Sequence, residues 1–288
     1  MKLLRLGEPG LERPAALLSD GRVVELGDLA DDIDAVFFRN GGIARVREFL
    51  TETGSAHARH VEPTKRIGAP IARPHQIICV GLNYSDHARE TGQDVPTEPI
   101  LFTKSPNTLV GPNDDVRMPR GATKLDWEVE LGIVIGARAY ELDSDLESEA
   151  AIAGYVLVND VSERAFQLER GGQWLKGKSA PTFNPTGPWL VTADEIPDVL
   201  DLGMHLNVNG VNRQAGSTAT MIFDPVTIVR YISQFLALEP GDLINTGTPP
   251  GVGMGMTPPE YLREGDVMEL AIDGLGVQRQ LVVGRDSP

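Results

Sequence analysis

Short apolar runs interrupted by Gly, Pro and Asp recur along the 288-residue chain, and their spacing predicts a mainly β fold. Near the start, residues 15–18 and 22–26 are predicted strands joined at Asp20-Gly21, a dipeptide suited to a tight hairpin turn. Ile43, Val46, Phe49 and Leu50 then fall on one helical face. Farther along, strands are predicted over 76–80, 127–135, 154–158, 203–208 and 267–272. Helices are predicted over 160–170 and 224–235. So few helices between strands argue against a doubly wound parallel sheet. The expectation is an α+β fold, mainly β, with mixed or antiparallel sheet. The Pro-marked stretch at 67–74 predicts a boundary, with a small β-rich N-terminal domain over 1–70 and a larger domain over 71–288.

Composition narrows the function classes. Hydrophobic residues at 41% and charged residues at 23% suit a packed core and exclude wholesale disorder. The formal charge is −15, and residues 1–72 contribute only −1 of it. An acidic chain lacks the basic face that phosphate backbones require, so nucleic acid is excluded as the main partner. The single cysteine, Cys79, excludes an intramolecular disulfide and a thiolate zinc cluster, and its apolar neighbours predict burial. The first residues lack a signal-peptide core, and no window reaches the roughly 18 apolar residues of a membrane helix. A soluble cytoplasmic protein without membrane contact is expected.

The run from Gly172 to Ser179 satisfies the phosphate-loop pattern GxxxxGK[ST]. Such a loop needs a strand before it and a helix after it, so that amides converge on phosphate. Here the preceding residues look helical, and three prolines within 180–188 exclude a following helix. The nucleotide reading therefore fails.

Acids provide a better lead. Along 126–132, Asp126, Glu128 and Glu130 alternate with Trp127, Val129 and Leu131, so a strand would put the three carboxylates on one face. That face is either solvated or neutralised by a cation. Asp160 ends the apolar run 155–160, where it is placed to join such a site or to cap a helix. Convergence of Glu128, Glu130 and Asp160 would give an all-oxygen site selecting Mg²⁺, Mn²⁺ or Ca²⁺ over zinc or copper. Upstream, His87 and Glu90 are three apart and share a face on one helical turn. A carboxylate beside an imidazole raises its basicity, as a general base acting on water requires; a solvated surface pair is the plain alternative. His57 and His60 have the same spacing within a polar stretch and are expected to be solvated.

Together these segments resemble the fumarylacetoacetate hydrolase family. The matching pieces are VGLNYSDHARE at 80–90, DWEVELGIVIG at 126–136, NDVSERAFQ at 159–167, GKSAPTFNPTGPW at 177–189 and NTGTPPGVGMG at 245–255. The resemblance covers residues 76–284 and implies a mixed β-roll or sandwich catalytic domain, usually a homodimer. It implies a divalent metal, Mg²⁺ or Mn²⁺, on Glu128, Glu130 and Asp160. It also implies a lid carrying His87 and Glu90 to activate water, with Lys178 stabilising negative charge. Arg164, Gln167, Thr182 and Thr248 match positions that line the substrate site. The implied substrate is a small anionic diketo acid, cleaved at a carbon–carbon bond to pyruvate and a carboxylic acid. The stretch 256–280 looks most like the branch acting on 2,4-diketo-3-deoxy sugar acids and acylpyruvates. Pro181, beside Thr182, departs from relatives and removes a backbone donor. The Gly-rich loop 247–255 either offers amides to an anionic group or is simply flexible. Oxaloacetate decarboxylation, isomerisation of an unsaturated diacid, and a non-catalytic metal-stabilised binding role are the alternatives.

Overall fold

The computed structural model describes residues 1–52, 60–61, 66–86 and 94–285. Its centre is an antiparallel pair, Val129–Ile135 against Ile152–Asn159, in which every residue is buried. Burial on both faces explains the near-continuous apolar reading of these strands. Val129, Leu131 and Ile133 enter one core while the alternating Val134 enters the other, and Glu130 on that alternate register lines a cavity.

On the first face lies a five-stranded sheet of Val211–Ser217, Gly203–Val208, Val267–Ile272, Gly276–Val283 and Val116–Arg117. Its Leu206, Met268 and Leu270 pack with Leu131, Ile133 and Leu157. The opposite face is covered by the helix Ala35–Arg39 and by Leu26 and Ile33, which meet Val134, Val156 and Leu243. Gly132 sits here because a Cβ would come within 2.6 Å of Val156 and 2.8 Å of Val158. The fold is mainly β with mixed sheets, as the alternation predicts. Among the described residues no helix is long and apolar enough to cross a membrane.

The central pair belongs to an eleven-stranded sheet. On one side it continues through Leu243–Asn245, Ile77–Gly81 and Ile100–Lys104. On the other it continues through Leu190–Thr192 into Lys2–Leu6, Arg13–Leu17, Val23–Glu25 and His60–Val61. The described strands of the N-terminal part therefore share a sheet with the rest, with Lys2 opposite Val191 and Leu3 opposite Leu190. Leu4, Leu6, Ala15 and Val23 form a small cluster on one face, while Leu3, Ala16 and Leu26 join the larger core on the other. The hairpin at Asp20-Gly21 forms as its sequence predicts, with Gly21 at φ 86°.

One predicted helix starts late. Residues 160–170 do not form a single helix: Ser162–Glu163 is a short strand and the helix spans Arg164–Leu168. Val161 N–H bonds Phe183 O at 3.1 Å, and Ser162 pairs with Asp126, so tertiary contacts hold the chain extended there. The second helix spans Pro225–Ser233, capped by Asp224.

Because the N-terminal strands share a core with the site-bearing strands, Leu3→Ala should destabilise the whole chain by about 2–5 kcal/mol. Denaturant unfolding followed by near-UV dichroism and by tryptophan fluorescence should shift in a single transition. Two separate transitions, with only one displaced, would contradict the shared core.

Candidate active site

The central strand pair brings three acids together by register alone. Glu130 lies opposite Val158, and Asp160 N–H donates to Glu128 O at 2.9 Å just beyond the paired residues. Glu128, Glu130 and Asp160 thus share one face at one end of two adjacent strands. They are buried, and one carboxylate oxygen from each lies within 4.8 Å of the others. Asn159 holds this end in place: its Oδ1 accepts from Glu128 N–H at 3.2 Å and its Nδ2 donates to Gln280 Oε1 at 3.0 Å.

Two short helices bring cations to the acids. Arg164 and Gln167 lie one turn apart on the helix Arg164–Leu168. Arg164 Nη2 donates to Glu128 Oε1 at 2.6 Å, its Nε to Asp126 Oδ2 at 2.8 Å, and its Nη1 to Gln167 Oε1 at 3.1 Å. The helix Leu175–Lys178 supplies Lys178, whose ammonium donates to Glu128 Oε2 at 2.6 Å and Asp160 Oδ2 at 2.8 Å. The helices meet at Gly177, where a Cβ would lie 2.5 Å from Gln167 and from Glu163 O. That close approach accounts for the Gly-Lys pair of the phosphate-loop lookalike.

Lys104, which sequence reasoning passed over, completes the cluster. It ends the strand Ile100–Lys104, is fully buried, and bonds Asp160 Oδ1 and, at 2.7 Å, Phe183 O. Its partner is 56 residues away, so no local pattern marks it. Asp126 is also recast. Its carboxylate accepts from Gly253 N–H at 2.7 Å and Met254 N–H at 3.0 Å, and it positions Arg164 instead of joining the three-acid set. The Gly-rich loop thus spends these amides on the protein's own acids. Gly247 N–H likewise donates to Glu130 Oε2 at 2.8 Å. Gly247 has φ 98°, and a Cβ there would press on Asn83 at 2.9 Å.

The charges do not cancel. Among the described residues, Asp126, Glu128, Glu130 and Asp160 face Lys104, Arg164 and Lys178, so four carboxyl groups meet three cations. Burial works against ionised Glu128, yet Lys178 and Arg164 outweigh it and hold its carboxyl at about 2. Burial, reinforced by Asp160 and Glu128, pushes the Glu130 carboxyl well above the usual range. Burial also draws the Lys104 ammonium below the usual lysine range, against the pull of Asp160. An all-oxygen set with surplus negative charge fits a hard divalent cation.

A cavity opens beside this cluster, its polar lining supplied by Glu128, Glu130, Arg164, Gln167, Lys178 and Thr248. Thr248 Oγ1 donates to Val129 O and accepts from Gln214 Nε2, each at 2.8 Å. Thr182 is not brought here. It lines a separate groove with Arg66 and Asp114, has φ 70°, and its hydroxyl accepts from Arg117 N–H at 2.9 Å. The turn after Pro181 directs it away. His87 and Glu90 lie outside the described residues, as does His57.

Residues 76–283 match the profile described as fumarylacetoacetate (FAA) hydrolase C-terminal. A Burkholderia multivorans protein provisionally named a hydrolase is 48% identical over 282 residues, 98% of each chain. A fumarylacetoacetate hydrolase structure from Exiguobacterium antarcticum is 36% identical, with TM-score 0.86, covering 99% of this chain and 100% of that one. A maleylpyruvate hydrolase structure from Sphingobium sp. SYK-6, in complex with manganese(II) and pyruvate, is 25% identical with TM-score 0.81 over 99% of each chain. The buried acid set therefore stands on a fold shared end to end with these proteins, and the chain belongs to the fumarylacetoacetate hydrolase family.

Proposed function

We propose that this protein is a divalent-metal-dependent hydrolase that cleaves an acylpyruvate, or related 2,4-dioxo acid, to pyruvate and a carboxylic acid. The observation that carries the reading is the buried convergence of Glu128, Glu130 and Asp160 beside Lys178 and Arg164. A Mg²⁺ or Mn²⁺ ion held by those three acids supplies Lewis acidity toward the oxygens of a 2-oxo acid. The manganese and pyruvate in the Sphingobium structure support both the metal and the product class. Family resemblance extends the proposal to a cytoplasmic homodimer.

The chain's own groups then divide the work. His87, made more basic by Glu90, takes a proton from water, and the resulting hydroxide attacks the distal carbonyl. The bond between that carbon and the central methylene breaks, its electron pair passes into a pyruvate enolate, and protonation at the methylene gives pyruvate. Lys178, a buried ammonium within the cavity, faces the negative charge as it develops. Arg164 is clamped by Asp126 and Gln167 and keeps a fixed guanidinium edge at the cavity.

Three outcomes follow. Mn²⁺ at a hundred times its dissociation constant should stabilise the wild type by about 2.7 kcal/mol, and Glu128→Gln or Asp160→Asn should remove that gain. An unchanged melting shift on adding Mn²⁺ would contradict the ligand set. Lys178→Met should cost the metal-free protein about 3–5 kcal/mol, because buried acids lose a counter-charge. Mn²⁺ should then raise its melting temperature more than that of the wild type; a metal-free variant at least as stable as wild type would count against this charge balance. His87→Ala should slow acetylpyruvate hydrolysis by about 10²–10⁴-fold while leaving the Mn²⁺ shift intact. Oxaloacetate decarboxylation needs no attacking water. It should therefore survive His87→Ala better than hydrolysis does, and unchanged acetylpyruvate hydrolysis in that variant would contradict His87 as the base.

A further inference from the structure

Besides its charged lining, the cavity is bounded by the apolar side chains of Leu82, Phe102, Leu168, Trp174 and Met254. Phe102 and Trp174 meet edge to face, centroids 5.1 Å apart, and Lys178 Nζ lies 5.3 Å from the Phe102 centroid. The wall therefore begins where the ammonium ends. Gly81 makes room for the indole, since a Cβ would come 2.9 Å from its ring. Leu168 is 45% exposed on the helix that also carries Arg164, so one short element supplies both a charged contact and an apolar one.

Leu82 has a backbone φ of 53°, a conformation rare for a bulky side chain. The next residue holds it there: Asn83 Nδ2 donates to Thr246 O at 2.8 Å and Phe223 O at 3.0 Å, and its Oδ1 accepts from Phe223 N–H at 2.8 Å. Strain kept in place beside a cavity marks a position whose side chain matters there.

Among the described residues, the cavity's lining cations are Arg164 and Lys178, and both are already bound to buried acids. Among the described lining residues, a second substrate carboxylate would meet only cations already paired with buried acids. Hydroxyl groups against the wall would lose water without gaining partners.

We infer that the site takes a monoanionic acylpyruvate whose acyl substituent is apolar and seats against Leu82, Phe102, Leu168, Trp174 and Met254. This disfavours dicarboxylates such as maleylpyruvate and the sugar-acid branch suggested by the C-terminal sequence. The inference rests on the acylpyruvate reading above.

Mn²⁺-loaded enzyme assayed on acetyl-, butanoyl- and hexanoylpyruvate, on maleylpyruvate and on a hydroxylated 2,4-dioxo acid tests it. Each added methylene should raise kcat/KM roughly fourfold until the wall is covered. Maleylpyruvate and the hydroxylated acid should fall below butanoylpyruvate. Trp174→Ala should flatten the dependence on chain length, and Leu168→Lys should raise maleylpyruvate turnover relative to hexanoylpyruvate. The Mn²⁺ melting shift checks that each variant is folded. Hydrolysis with a flat or falling chain-length dependence, or a preference for maleylpyruvate, would overturn the apolar-substituent inference alone. No hydrolysis of any member would overturn the acylpyruvate reading itself.

Discussion

Burying Glu128, Glu130 and Asp160 at one end of a strand pair concentrates negative charge where water screens it poorly, and much of the surrounding chain answers that repulsion. Lys104 reaches Asp160 from a strand three places along the sheet from the Glu-bearing strand, while Lys178 and Arg164 arrive on two short helices. Backbone amides do the rest. Gly247 satisfies Glu130, and Gly253 and Met254 satisfy Asp126, which in turn fixes Arg164. Removing a cation would leave still more of the acid charge uncompensated, whereas an added cation would offset it. This asymmetry makes the cluster receptive to a divalent ion.

Global charge and local charge point in opposite directions. The chain carries −15, nearly all of it after residue 72, and the proposed substrate is itself an anion. Long-range attraction therefore cannot gather substrate, and capture depends on groups within the cavity. Lys178 is suited to this because burial has not neutralised it. Asp160 and Glu128 overcome the cost of burial and hold its ammonium above the usual lysine range.

Much of this was legible in the alternation of residues. A period of two placed Glu128 and Glu130 on one face, and an apolar run ending in Asp160 placed the third acid at a strand end. The same period misplaced Asp126, because pairing is interrupted between Asp126 and Val129 and its carboxylate turns to the loop amides. Lys104 was invisible for the opposite reason: its meaning comes from a contact across the sheet, and a lysine ending a strand ordinarily reads as solvated. Thr182 shows the limit of carrying a role by position. Its neighbours match, yet a left-handed backbone takes its hydroxyl to Arg117 in another groove.

The two halves of the cavity are built under different constraints. At the charged end, Glu128, Asp126 and Asp160 are each tied to several partners and Glu130 to the Gly247 amide, so a change of side chain leaves a buried charge or donor unpaired. At the wall, Leu168 and Met254 touch the cavity through apolar surface and can be exchanged without orphaning a buried polar group. Chemistry common to 2-oxo acids then resides in a part that tolerates little change. Discrimination among substituents resides in a part that tolerates much, and one fold can serve different acylpyruvates by altering a few side chains beside a constant charged end.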